Sequence, residues 1–117
     1  MEALIIDDDD FTSELLESFL RSNSVSVRKA FSIEQGRKKL SEQLPDILFL
    51  DIVLPDGDGI DLLREIRKDK PDLTVVMITG HKDAEKVVRA FREGASDCLL
   101  KPFNYDYVKN EVLARAK

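Results

Sequence analysis

Four short apolar runs, residues 3–6, 47–50, 74–79 and 97–100, are nearly continuous rather than alternating. A strand is apolar on both sides only when both of its faces are covered, so these runs predict the central strands of a parallel sheet. A fifth run, residues 25–30, alternates and predicts an edge strand with one wet face. In chain order the expected strands are β1 (3–6), β2 (25–30), β3 (47–50), β4 (74–79) and β5 (97–100). Between them lie segments of helical period. Phe11, Leu15, Leu16, Phe19 and Leu20 form one stripe, with Glu14, Glu17 and Arg21 facing away (α1). Ser32-x-x-Gln35 is a capping box for α2, which carries Gly36 and Arg37 where a better stripe wants apolar residues and is therefore expected to be the least stable. Leu62, Leu63 and Ile66 mark α3, between Gly59 and Pro71. Ala84, Val87, Val88 and Phe91 repeat at i, i+3, i+4 and i+7 in α4, which Gly94 stops. Asn104 caps α5, which uses Val108, Val112 and Leu113.

A β-α unit repeated in this way requires right-handed crossovers and helices on both faces of the sheet. The fold class is α/β, a doubly wound five-stranded parallel sheet, and the wet β2 at one edge gives the order 2-1-3-4-5. At 117 residues the chain has the size of one domain, and residues 1–117 read as one. The single cysteine, Cys98, leaves no internal disulfide, and no Cys/His cluster is available for zinc. A net charge of −5, from 18 basic against 23 acidic side chains, argues against nucleic-acid binding by this domain. No apolar run is long enough to span a membrane, and Met1-Glu2-Ala3 does not open a signal peptide, so the expected setting is a reducing cytoplasm.

In a sheet of this order, ligands sit beyond the carboxyl ends of the strands, where the order reverses between β1 and β3. Asp7 and Asp8 end β1, Asp51 ends β3, Thr79 ends β4 and Lys101 ends β5. Asp9 and Asp10 have a simpler role, capping α1 and favouring its positive end. Solvating acids rarely end two buried strands at one point, so Asp7, Asp8 and Asp51 need another explanation. Oxygen ligands without Cys or His suit Mg²⁺ or Mn²⁺. Without a cation the carboxylates repel one another, and Lys101 cannot neutralise all three. Gly57 and Gly59 serve the turn after β3, and no Walker or dinucleotide fingerprint is present.

The pieces Leu4-Ile5-Ile6-Asp7-Asp8-Asp9, Pro45-Asp46-Ile47-Leu48-Phe49-Leu50-Asp51, Leu54-Pro55-Asp56-Gly57-Asp58-Gly59, Ile78-Thr79-Gly80, Gly94-Ala95-Ser96-Asp97 and Lys101-Pro102-Phe103 occur in this order over essentially the whole chain. Together they resemble the receiver domain of two-component response regulators. The resemblance implies a (βα)5 flavodoxin-like fold and a signalling switch that catalyses only its own phosphorylation and dephosphorylation. It implies that Asp51 accepts a phosphoryl group from a partner kinase's histidine. Asp8, Asp51 and the backbone carbonyl of Val53 would ligate Mg²⁺, with Asp7 acting through a bound water. Lys101 would pair with Asp51 and then with phosphoryl oxygens, Thr79 would bond a phosphoryl oxygen, and Lys101–Pro102 would be cis. The two residues would couple phosphorylation to the face formed by α4, β5 and α5. The implied partners are a sensor histidine kinase or phosphotransfer protein, an output domain or downstream protein, and a second copy through that face. Val76-Met77-Ile78-Thr79-Gly80-His81 resembles the receivers of enhancer-binding transcription activators.

One position departs from the pattern. Receivers usually carry an aromatic residue three positions before the lysine; here it is Cys98, which has no ring to swing behind Thr79. The thiol reads as a small strand-filling residue, His81 as a solvated loop residue, and Arg64, Arg67, Lys68 and Lys70 as a solvated face. The alternative function is a Mg²⁺-dependent phosphatase of the haloacid-dehalogenase type, which Asp7-x-Asp9 faintly resembles. Phe11 stands where that family carries a threonine.

Overall fold

The computed structural model describes residues 1–80 and 84–116. Strands β1 (Glu2–Ile6), β2 (Ser26–Ala30), β3 (Ile47–Asp51), β4 (Thr74–Thr79) and β5 (Asp97–Leu100) form one parallel sheet in the expected order 2-1-3-4-5. A short antiparallel hairpin, Val53–Leu54 with Gly57–Asp58, follows β3.

The continuous apolar runs are explained by two cores. Ile5, Phe49, Val76 and Ile78 face one side, where Leu16 and Leu20 of α1 (Asp10–Ser22) and Val108, Val112 and Leu113 meet them. Leu4, Ile6, Leu48, Leu50 and Met77 face the other. That side is covered by Ile33 of α2 (Ile33–Glu42), Leu62, Leu63 and Ile66 of α3 (Gly59–Asp69), and Ala90 of α4 (Ala84–Arg92). On edge strand β2, Arg28 pairs with Glu2 and Lys29 with Glu17, each at 3.0 Å, and these charges guard the edge against further pairing.

Several helices differ from their sequence patterns. In α1 the inward line is Ser13, Leu16 and Leu20, so Phe11 and Leu15, each two residues from Ser13 and thus on the far side of the helix, are 72% and 46% exposed. In α4 only Ala90 is buried, and Val88 and Phe91 are each 48% exposed. A small residue lets this helix meet the sheet and leaves its larger apolar residues outside. Gly36 of α2 is no defect in packing: a Cβ there would lie 2.5 Å from Cδ1 of Ile6, so its absence lets helix and strand approach. Arg37 forms a paired hydrogen bond with Glu65 at 3.0 and 2.6 Å. Ser32 caps α2 as expected, but the Gln35 carbonyl accepts from Phe31 rather than from the cap residue, and Asp56 accepts from the N–H groups of Ile33 and Glu34.

The last helix, α5, starts with an α-turn at Tyr105–Tyr107, capped by Asn104. It widens into a π-helix at Val108–Leu113 and closes with Ala114–Ala116. Residues five apart stack in a π-turn, which brings Val108 and Leu113 to the same inner side.

Candidate functional site

The carboxyl ends of β1, β3, β4 and β5 meet at one crevice. Asp7 continues the β1 ladder, its N–H donating to the Ala30 carbonyl at 3.1 Å, and its side chain is fully buried. Asp51 closes β3 at 5% exposure, and its Oδ1 accepts from the Val53 N–H at 3.0 Å. The close turn beyond it depends on Gly59, whose N–H bonds the Ile52 carbonyl at 2.7 Å; a Cβ at Gly59 would collide with the carbonyl oxygen of Asp51. Thr79 is 2% exposed at the end of β4, and its carbonyl accepts the Lys101 N–H at 2.9 Å. The Lys101–Pro102 peptide is cis.

Lys101 is the positive centre. Its Nζ donates to Asp51 Oδ2 at 2.9 Å and lies 2.9 Å from Asp7 Oδ2. The direction of the ammonium favours Asp51, and Asp7 Oδ2 remains a buried oxygen without a hydrogen bond among the described residues. Burial works against the charge on Lys101, but the Asp51 and Asp7 carboxylates outweigh it and raise its pKa. Burial, reinforced by Asp51, pushes Asp7 up to about 6 against the pull of the Asp9 N–H and Lys101.

Asp8 is exposed, unlike its two neighbours in the site, yet carboxylate oxygens of Asp7, Asp8 and Asp51 lie within 4.8 Å of one another. Three converging oxygen donors, one of them a fully buried oxygen held only by the ion pair with Lys101 among the described residues, fit a hard divalent cation. The structure thus brings Asp7, Asp8, Asp51 and Lys101 together, with Thr79 joined through its carbonyl to Lys101 and Val53, 45% exposed, through its N–H to Asp51. His81 lies outside the described residues.

Two features were not evident from spacing. Asp9 does cap α1, its carboxylate accepting from the Thr12 hydroxyl at 2.6 Å and N–H at 3.3 Å, and the Thr12 hydroxyl holds it below the usual carboxylate range. It also lies 3.8 Å from Lys101 Nζ, a proximity that follows from the helix starting directly at the site. Arg67 does not belong to a solvated face. It donates to the carbonyls of Gly94, Lys70 and Leu73 at 2.7, 3.0 and 2.6 Å, tying α3 to the ends of α4 and β4, and burial lowers its pKa. Cys98 is half-buried against the core, and burial raises its thiol pKa, consistent with a filling role rather than a reactive thiolate.

Residues 3–113 match the response regulator receiver domain family. The chain is 34% identical over 113 residues to the probable C4-dicarboxylate response regulator DctR of Bacillus subtilis, covering 95% of this chain and 50% of that protein. It is 36% identical over 107 residues to the nitrogen assimilation regulatory protein NtrX of Azorhizobium caulinodans, covering 90% of this chain and 24% of that protein. The chain thus spans half or less of these relatives' lengths. Among solved structures, the receiver domain of NtrX from Brucella abortus superposes with a TM-score of 0.90 at 37% identity, over 97% of this chain and 96% of that one. A putative response regulator from Chloroflexus aurantiacus gives 0.91 at 34%, over 98% and 96%. Sequence, fold and relatives agree, and the chain belongs to the response regulator receiver domain family.

Proposed function

We propose that this chain is a phospho-accepting switch in which Asp51 takes a phosphoryl group from a histidine of a partner kinase or phosphotransfer protein. The observation that carries this reading is the Asp51 carboxylate itself, nearly buried, grouped with those of Asp7 and Asp8 and hydrogen-bonded to Lys101. In the transfer, an Asp51 oxygen forms a bond to phosphorus as the N–P bond of the donor histidine breaks, and the electron pair of that bond returns to the imidazole. Asp8 and Asp51, with the Val53 carbonyl, would hold Mg²⁺ or Mn²⁺, with Asp7 behind them. The cation supplies charge neutralisation where anionic groups meet. Lys101 provides a donor for the phosphoryl oxygens, Thr79 provides a hydroxyl beside them, and burial keeps bulk water from Asp51.

Thr79 and Lys101 would pass the change to α4, β5 and α5. Val88, Phe91, Leu100 and Tyr107 on these elements are each between 37% and 48% exposed, which supports this face as the contact for an output domain, a downstream protein or a second copy. No helix among the described residues is long and apolar enough to cross a membrane.

The test is labelling with acetyl phosphate and Mg²⁺. The native protein should take up phosphate once and Asp51→Asn should take up none; undiminished labelling of Asp51→Asn at another residue would contradict the assignment. A generic phosphomonoester should give no steady turnover. Continuous release of phosphate from it would instead favour the haloacid-dehalogenase type of chemistry.

A further inference from the structure

We propose that Asp9 is a positioning residue for Lys101, keeping its ammonium in the crevice when a divalent cation takes over Asp7 and Asp51; this rests on the phosphoacceptor reading above. Lys101 Nζ lies 2.9 Å from both Asp7 Oδ2 and Asp51 Oδ2, and 3.8 Å from Asp9 Oδ2. Asp9 differs from the other two in two respects. Its carboxylate is not part of the group whose oxygens converge to within 4.8 Å, so a cation among Asp7, Asp8 and Asp51 leaves it unclaimed. It is also held from behind, Oδ2 by the Thr12 hydroxyl at 2.6 Å and Oδ1 by the Thr12 N–H at 3.3 Å. Its place at the start of α1 is therefore fixed independently of the lysine.

Without a cation, Lys101 faces Asp7 and Asp51 at contact distance and needs no further support. A bound cation offsets both of those charges and itself repels the ammonium. Asp9 then keeps its full charge beside Lys101, on the rim of the crevice. Its side chain is 45% exposed, so its attraction is that of a partly solvated ion pair and its effect is a few-fold.

The cap and the charge can be separated, because Asn and Ser cap a helix about as well as Asp but carry no charge. The measurement is the exchange of the Lys101 ammonium protons with water, read from the ¹⁵N–¹H signal of the full chain with and without saturating Mg²⁺. With Mg²⁺, Asp9→Asn should speed exchange about two- to five-fold. Without Mg²⁺ exchange should stay at the native rate. The amide shifts of α1 should be unchanged in both states, which a loss of capping alone would not allow. If Asn perturbs α1, Asp9→Ser gives the same comparison. Equal exchange in variant and native protein with Mg²⁺ would overturn the proposal, as would equal acceleration with and without it. Failure of the native protein to bind Mg²⁺ would overturn the cation reading and this proposal together. Mg²⁺ binding and Asp51 labelling with unaltered exchange would overturn this proposal alone.

Discussion

At the scale of single residues, the burial of Asp7 predicts a response to pH. Burial raises its pKa from 3.8 to about 6, so the folded state binds a proton that the unfolded chain has already lost. The stability this contributes is fully present below pH 3.8 and is lost as pH rises through about 6 in the cation-free protein. The same proton competes with a cation. Mg²⁺ affinity should therefore fall as pH drops through about 6, and Asp7→Asn should flatten that dependence while lowering affinity overall. Calorimetric Mg²⁺ titrations on either side of this pH check both statements; an affinity independent of pH would count against them. Val53 offers a test of how long the proposed acyl phosphate lasts. Its branched side chain, two residues beyond Asp51, is 45% exposed and has no polar atom to orient water. Val53→Asn should shorten the lifetime of phosphorylated Asp51 by about tenfold or less, equivalent to ~1.4 kcal/mol of barrier. Decay after donor removal measures it, and a longer lifetime would show that water access beside Val53 does not limit hydrolysis.

At the scale of elements, two glycines make opposite predictions. A Cβ at Gly59 would meet backbone, the carbonyl of Asp51, which cannot yield without displacing the acceptor strand. Gly59→Ala should therefore destabilise by about 1–3 kcal/mol and weaken cation binding with it. At Gly36 the obstacle is Cδ1 of Ile6, the free end of a side chain. The helical gain of about 1 kcal/mol for Gly→Ala offsets that clash, so Gly36→Ala should fall well short of the Gly59 effect. Denaturant unfolding of the two variants ranks them, and the reverse order would contradict the packing described. These positions also show where sequence reading ends. The continuous runs predict buried strands because both faces of each are covered, and Asp9, Ser32 and Asn104 predict caps because their chemistry is local. Which side of α1 or α4 turns inward is decided by tertiary fit. The stripes therefore misplaced Phe11, Leu15, Val88 and Phe91, which are exposed, and Gly36 looked like a gap only until Ile6 was seen against it. The same holds for Arg67, whose carbonyl partners come from two connections, Lys70 and Leu73 after α3 and Gly94 after α4. The widening at Val108–Leu113 has no signature in spacing alone.

At the scale of the whole molecule, the acidic site sits at one end of the sheet, and α4, β5 and α5 each carry exposed apolar side chains. Lys101 follows β5 directly, and Asp97 at the start of that strand accepts from Tyr107 and Arg115 of α5, the latter at 2.6 Å. In the proposed switch, movement of Lys101 would be passed along this strand, which Asp97 clasps to α5. A phosphoryl mimic should shift amide resonances in residues 84–103 more than in residues 33–42, and the reverse ranking would contradict this route. Because Cys98 carries no ring, Cys98→Ala should leave that response largely intact, whereas Thr79→Ala should blunt it. The meeting of Asp7, Asp8 and Asp51 was legible in the sequence because the β-α order brings the ends of β1 and β3 together, whereas the acceptor role of Asp51 comes from the family resemblance alone. All of this rests on Asp51 as the phosphoryl acceptor. The most direct measurement is peptide mapping by mass spectrometry after incubation with acetyl phosphate, with and without Mg²⁺. One phosphoryl group is expected, on the peptide containing Asp51 and formed only when Mg²⁺ is present; modification elsewhere, or at Asp51 regardless of the cation, would contradict the assignment.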